Sequence, residues 1–216
     1  MRQVKLTIGD KVTKFSMPTN WDEVSLTQYK DLMLAIDKED SEEIELMIKS
    51  LEALTCIDRG ILSKVPLKQI RTAYSMLGHL TTDMPSNELK RVIEIDGIEY
   101  GIIPDFDDLS LGEFVDLDNY LQDSWNNLTS IMTVLYRPVN LRDGDKYTIE
   151  PYTMSSVKDR RRIFNDSMSV NSVYGALVFF CNIGRSYTEI TLLSLEEEIK
   201  SQSTIKSSQM IGKEIV

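Results

Sequence analysis

Trp21-Asp22-Glu23-Val24-Ser25-Leu26-Thr27-Gln28-Tyr29-Lys30-Asp31-Leu32 has a counterpart later in the chain, Phe106-Asp107-Asp108-Leu109-Ser110-Leu111-Gly112-Glu113-Phe114-Val115-Asp116-Leu117. At a constant offset of 85 positions an aromatic meets an aromatic, Ser meets Ser and Asp-Leu meets Asp-Leu. Each stretch carries the signature of a helix start. Ser25 with Gln28, and Ser110 with Glu113, have the spacing of a capping box, in which the serine oxygen takes an orphan N–H and the N3 side chain reaches back. Val24 with Tyr29, and Leu109 with Phe114, stand where a hydrophobic staple would fix the entry of the chain.

The similarity extends outward from these caps. Upstream, Val4 to Phe15 alternates around Gly9-Asp10, and Val92 to Ile102 alternates around Asp96-Gly97, the pattern of β-hairpins. Pro18 and Pro104 follow them. Downstream, Ile44, Met47, Ile48 and Leu51 share a helical face that Leu128, Ile131, Met132 and Leu135 repeat. A third helix carries Ile70, Ala73, Tyr74, Leu77 and Leu80 after Pro66, answered by Val170, Val173, Tyr174, Leu177 and Phe180. The growing offset marks an insertion at about 137–165, where a turn-rich Asp143-Gly144-Asp145 loop leads into a short strand. Hairpins and capped helices are common enough to converge, but so many matched roles favour duplication. The predicted fold is therefore α+β and helix-rich, a tandem duplication of a β-hairpin plus three-helix module. Its repeats would span 1–88 and 89–200, with a flexible tail at 201–216. Whether they form two domains or share one core is open, because each is small enough to be marginal alone.

Composition narrows the function classes. The 216 residues are ordinarily apolar, and the net charge is −10. An acidic chain is a poor electrostatic match for nucleic acid and a better one for basic protein surfaces. No apolar run approaches the ~18–20 residues of a membrane span, and Met1 to Lys5 turns directly into a strand, without a secretory signal. Cys56 and Cys181 sit in apolar contexts and read as buried free thiols of a reducing compartment. Tyr174 to Cys181 reads as a buried helix.

No motif points to catalysis, a metal or a cofactor. The single histidine, His79, has no Cys or second His at ligand spacing and reads as a residue near helix-terminal carbonyls. No Gly-x-Ser-x-Gly elbow surrounds a serine, and no Gly-rich phosphate loop is present. Asp105, Asp107 and Asp108 lack calcium-loop spacing. They precede a helix start, as Asp22 and Glu23 do, where the helix dipole favours negative charge.

Two segments are candidates for partner binding. Lys158-Asp159-Arg160-Arg161-Arg162 is the one dense basic run, either a solvated helix face or a contact for nucleic acid or an acidic protein, of which the acidic protein suits an acidic chain better. After Thr188, Ile190, Leu193 and Ile199 suggest a last amphipathic helix. A Ser-rich stretch follows, and the chain ends with Met210, Ile211, Ile215 and Val216 as a frayed tail or a docking peptide.

The run Asp105 to Leu117, followed by Asn127-Leu128 and Val134-Leu135-Tyr136-Arg137-Pro138-Val139, resembles small proteins of crAss-like and related tailed bacteriophages. Tyr174-Gly175-Ala176-Leu177-Val178-Phe179-Phe180 is similar to the same group. The likeness covers about half the chain and transfers no active-site residues. It implies a non-enzymatic virion-associated or packaged protein, with portal, neck or cargo proteins as partners, in one or several copies per particle. A tail assembly chaperone binding the tape-measure protein is the alternative, and an enzyme or regulator acting on host machinery is the reading from another class. The resemblance places the protein in the virion, and in the host cytoplasm during assembly.

Overall fold

Alternating residues at the start of the chain pair as an antiparallel hairpin, β1 (Arg2–Ile8) with β2 (Lys11–Met17), in a register running from Arg2↔Met17 to Ile8↔Lys11. Leu6, Phe15 and Met17 face inward from it. The computed structural model describes residues 1–8, 11–36 and 42–183. It is a mixed helix-and-sheet structure with two small antiparallel sheets. The chain divides into two compact units, Met1–Ala176 and Leu177–Val216. Both hairpins and the expected 88/89 boundary lie inside the first unit. Of the second, residues 177–183 are described, and they are helical.

After β2 a 3-10 turn at Trp21–Glu23 leads into α1 (Leu26–Ile36), then α2 (Glu43–Thr55), α3 (Arg59–Leu62), α4 (Leu67–Ser75) and α5 (Gly78–Thr82). The helix expected over Ile70 to Leu80 is split in two. Met76 and Leu77 donate to carbonyls three residues back rather than four, which tightens the turn before Gly78. Even so, Ile70, Ala73, Leu77 and Leu80 all reach the core, with Leu32, Leu51, Leu54 and Leu62.

The next part of the chain forms a four-stranded sheet in the order β3-β4-β5-β6, from β3 (Val92–Ile95), β4 (Ile98–Ile102), β5 (Tyr136–Asp143) and β6 (Lys146–Ile149). The insertion thus supplies a full hairpin, turned at Gly144 with φ +60°, where a loop and one short strand were expected. It widens the hairpin at Asp96-Gly97 into a sheet. Tyr147 lies so close to Gly101 that a Cβ there would come within 2.4 Å of its ring. Between β4 and β5 run α6 (Leu111–Leu121) and α7 (Ser124–Leu135), and α8 (Met154–Ser167) follows the sheet. From Leu128 to Tyr136 every residue is buried, and Phe164 meets Tyr100 edge-on at 5.0 Å between centroids. Residues 170–176, also helical, complete the first unit.

Segments far apart in sequence interlock within this unit. Ser25 and Ser169 form an isolated antiparallel bridge. It is flanked by Leu26 N–H donating to Met168 O at 3.2 Å and Val170 N–H donating to Val24 O at 3.0 Å. Val170 is therefore a member of the core built on the first hairpin. Tyr29 packs against Trp21 and Trp125, with centroids 5.6 and 5.9 Å apart. The helical turn around Gly175 rests directly on the Glu88 backbone.

The cysteines differ from expectation: both are exposed. Cys56 sits at the C-cap of α2 with φ 56°, a left-handed position that ends the helix and turns the residue out of the core.

Candidate functional site

The helix start at Ser110 is built as a full capping box. Glu113 N–H donates to Ser110 Oγ at 3.3 Å, and Glu113 Oε2 accepts from the Ser110 N–H at 2.8 Å and from its hydroxyl at 2.5 Å. The same reciprocal bonds join Ser25 and Gln28, at 2.9 and 3.3 Å. In both cases the N3 side chain continues inward. Gln28 donates to the Leu54 carbonyl at 3.0 Å, whereas Glu113 accepts from Arg137 on β5 at 2.5 Å.

That difference gives α6 an unusual orientation. Glu113 and Arg137 are only 4% and 7% exposed, so a charged pair occupies the face that an amphipathic helix normally fills with apolar residues. Two further polar contacts lie on the same side. The Tyr152 hydroxyl donates to Asp116, and the Arg161 guanidinium donates to the Tyr120 hydroxyl at 3.1 Å while lying over its ring. Leu117 is the one apolar residue of α6 that is buried. Leu111 is 78% exposed, Phe114 60% and Val115 45%, with Leu121 also exposed. Leu111, Phe114 and Val115, spaced by three and four, and Leu121, seven beyond Phe114, form an outward apolar stripe. Phe114, at the staple position after Leu109, is thus largely exposed. In the other half Val24 is buried and Tyr29 half-buried.

Electrostatics reinforce this arrangement. Burial depresses the Arg137 guanidinium below its ordinary value, against the pull of Glu113, which favours the charged form. Burial, then the hydrogen bond to Asp116, raises the Tyr152 phenol well above its usual range. A buried charge in place of an apolar contact is seldom a source of net stability. Here it fixes the rotation of α6. From Asp105 to Tyr136 the sequence holds seven Asp and Glu residues and no Lys, Arg or His, so the stripe lies in an acidic stretch. Asp107, Asp108 and Asp118 are exposed.

The basic run does not form one surface. Arg160 turns inward to Glu150 at 2.8 Å and the Thr133 carbonyl at 3.4 Å, and Arg161 is taken up by Tyr120. Lys158 and Arg162 point outward, one helical turn apart. The Nε–H groups of Arg137, Arg160 and Arg161 are buried without a protein partner. Met210, Ile211, Ile215 and Val216 lie outside the described residues, as does the expected helix after Thr188. The backbone of His79 lies in α5. Among the described residues no group of three or more His, Cys, Asp or Glu is arranged to hold a metal ion, and no helix is long and apolar enough to cross a membrane. Asp105 accepts from the Asp107 N–H at 3.0 Å, a local turn before the helix. A groove of about 420 Å³ between α1 and α2, lined by Leu34, Ala35 and Ala53 with Asp31, Lys49 and Glu52, brings together no reactive constellation.

Sequence reasoning missed the stripe because it assigned Phe114 to a staple. The signal that would have found it was Glu113, a charged residue at the position where Gln28 turns inward. No family model, curated protein or solved structure matches this chain.

Proposed function

We propose that the chain is a non-enzymatic assembly or virion-associated component of a tailed bacteriophage, acting through protein–protein contacts. The observation that carries the protein-binding part is the apolar stripe of α6, held outward by a buried ion pair. Contiguous exposed apolar surface of this kind marks interaction sites more often than solvated helix faces. The phage context rests on the resemblance of residues 105–139 and 174–180 to such proteins. The internal duplication belongs to the same reading. It is supported by two eleven-residue helices, α1 and α6, whose first residues stand 85 positions apart, each behind a capping box and a hairpin.

Mass spectrometry of purified particles of the phage encoding this chain, with copy number taken against the major capsid protein, tests the reading. Stoichiometric presence is the expected result and makes the protein a virion component. Absence from particles, with abundance in infected-cell lysate, would replace it with a transient assembly role.

A further inference from the structure

We infer that the α6 face binds an amphipathic helix whose apolar stripe is flanked by Lys or Arg, supplied by another protein. This rests on the protein-binding reading above and adds the chemistry of the partner. The two capped helices differ in one respect. On α1, Leu26 lies under the 168–170 segment and Tyr29 against Trp125, so both are covered from within the chain. At the equivalent positions of α6, Leu111 and Phe114 have no such cover. The helix cannot rotate to hide them, because the capping box and the Glu113–Arg137 pair fix its rotation. The apolar positions 111, 114, 115 and 121 run along about three helical turns, a length that suits a helix laid alongside them.

Charge selects among occupants. Asp107, Asp108 and Asp118 are exposed on or beside the stripe, in a stretch without a basic residue. A second copy in the same orientation would set these carboxylates against one another. In addition, the elements that cover α1, Trp125 and residues 168–170, are already engaged inside each copy. An anionic lipid surface is disfavoured by the same acids, since interfacial helices flank their apolar face with Lys and Arg. A basic helix satisfies both the stripe and its acidic flanks.

The test uses the full chain and three synthetic amphipathic helical peptides: Leu with Lys flanks, Leu with Glu flanks, and a scrambled Leu/Lys sequence. Binding is followed by fluorescence anisotropy at moderate salt, alongside vesicles of anionic lipid. The Lys-flanked peptide is expected to bind, with at least a tenfold loss in L111S/F114S and a smaller loss in D118N. The remote control E94Q should leave it unchanged. The substituted side chains are exposed, and an unchanged Tm verifies the fold. Equal binding by L111S/F114S, by the Glu-flanked peptide or by the scrambled peptide would overturn the inference. So would vesicle binding, or self-association that L111S/F114S abolishes. If particles incorporate wild-type and L111S/F114S alike, this face is wrong while the virion reading stands; if neither is incorporated, the virion-component reading fails whatever the peptides do.

Discussion

Glu113 and Arg137 form an ion pair at 2.5 Å with side-chain exposures of 6% and 8%, and the same carboxylate closes the N-terminus of α6. One group thus caps a helix, attaches it to the sheet and sets which of its faces meets solvent. Removing either charge leaves the other buried, which costs about 3–5 kcal/mol where such pairs have been broken. E113Q and R137M are each expected to lower urea stability by that order. E113Q/R137M should recover much of the loss, because neither charge is then left buried without its partner. Additive losses in the double variant would count against a paired role.

Two glycines should respond to alanine with opposite sign. A Cβ on Gly175 would stand 2.2 Å from the Glu88 carbonyl oxygen, which is backbone and cannot step aside. G175A is expected to destabilise by about 1–3 kcal/mol, despite the better helix propensity of alanine. A Cβ on Gly112 meets nothing closer than Tyr152 at 3.6 Å. G112A should be neutral or stabilise by up to about 1 kcal/mol. Thermal melts of the two variants distinguish these outcomes.

How much was legible in the sequence follows from which interactions are local. Ser25, Gln28, Ser110 and Glu113 declare their helix starts within four residues, and the Asp96-Gly97 turn declares its hairpin within two. Phe114 could not be placed that way, because its exposure is set by Arg137, twenty-three positions later and across a strand. Arg160 reads as part of a basic run until Glu150 and the Thr133 carbonyl draw it inward. The β5–β6 hairpin was half visible: the turn at Gly144 was clear, but Tyr136 to Asp143 follows α7 without a break and lacks a separating loop.

Five tyrosines, at 29, 100, 136, 147 and 152, have phenols raised above the ordinary value of 10.0, in each case first by burial. From about that pH the unfolded chain ionises these groups while the folded chain resists. Their contribution is therefore whole below pH 10 and declines as pH rises toward the folded-state values. Phenolate absorbance should show fewer ionised tyrosines in the native protein than in urea at the same alkaline pH. Stability should fall over that window. Equal titration in both states would refute the assignment.

Cleaving the chain between residues 88 and 89 is expected to leave the first fragment without a closed core. Its α1 start needs the backbone of Met168 to Val170, and Val170 is one of its core residues. Fragment 1–88 alone should lack near-ultraviolet circular dichroism, and mixing with 89–216 should restore it. A cooperative melt of 1–88 by itself would make the first module independent.

The bridge between Ser25 and Ser169 also bears on synthesis. The earliest hairpin leaves the ribosome long before the bridging residue and the core residue that complete its half, and contacts this far apart in sequence are slow to form. The nascent chain therefore carries the start of α1, at Val24 to Leu26, without its cover until residues near 170 have emerged. Holdase chaperones have their longest opportunity in that interval.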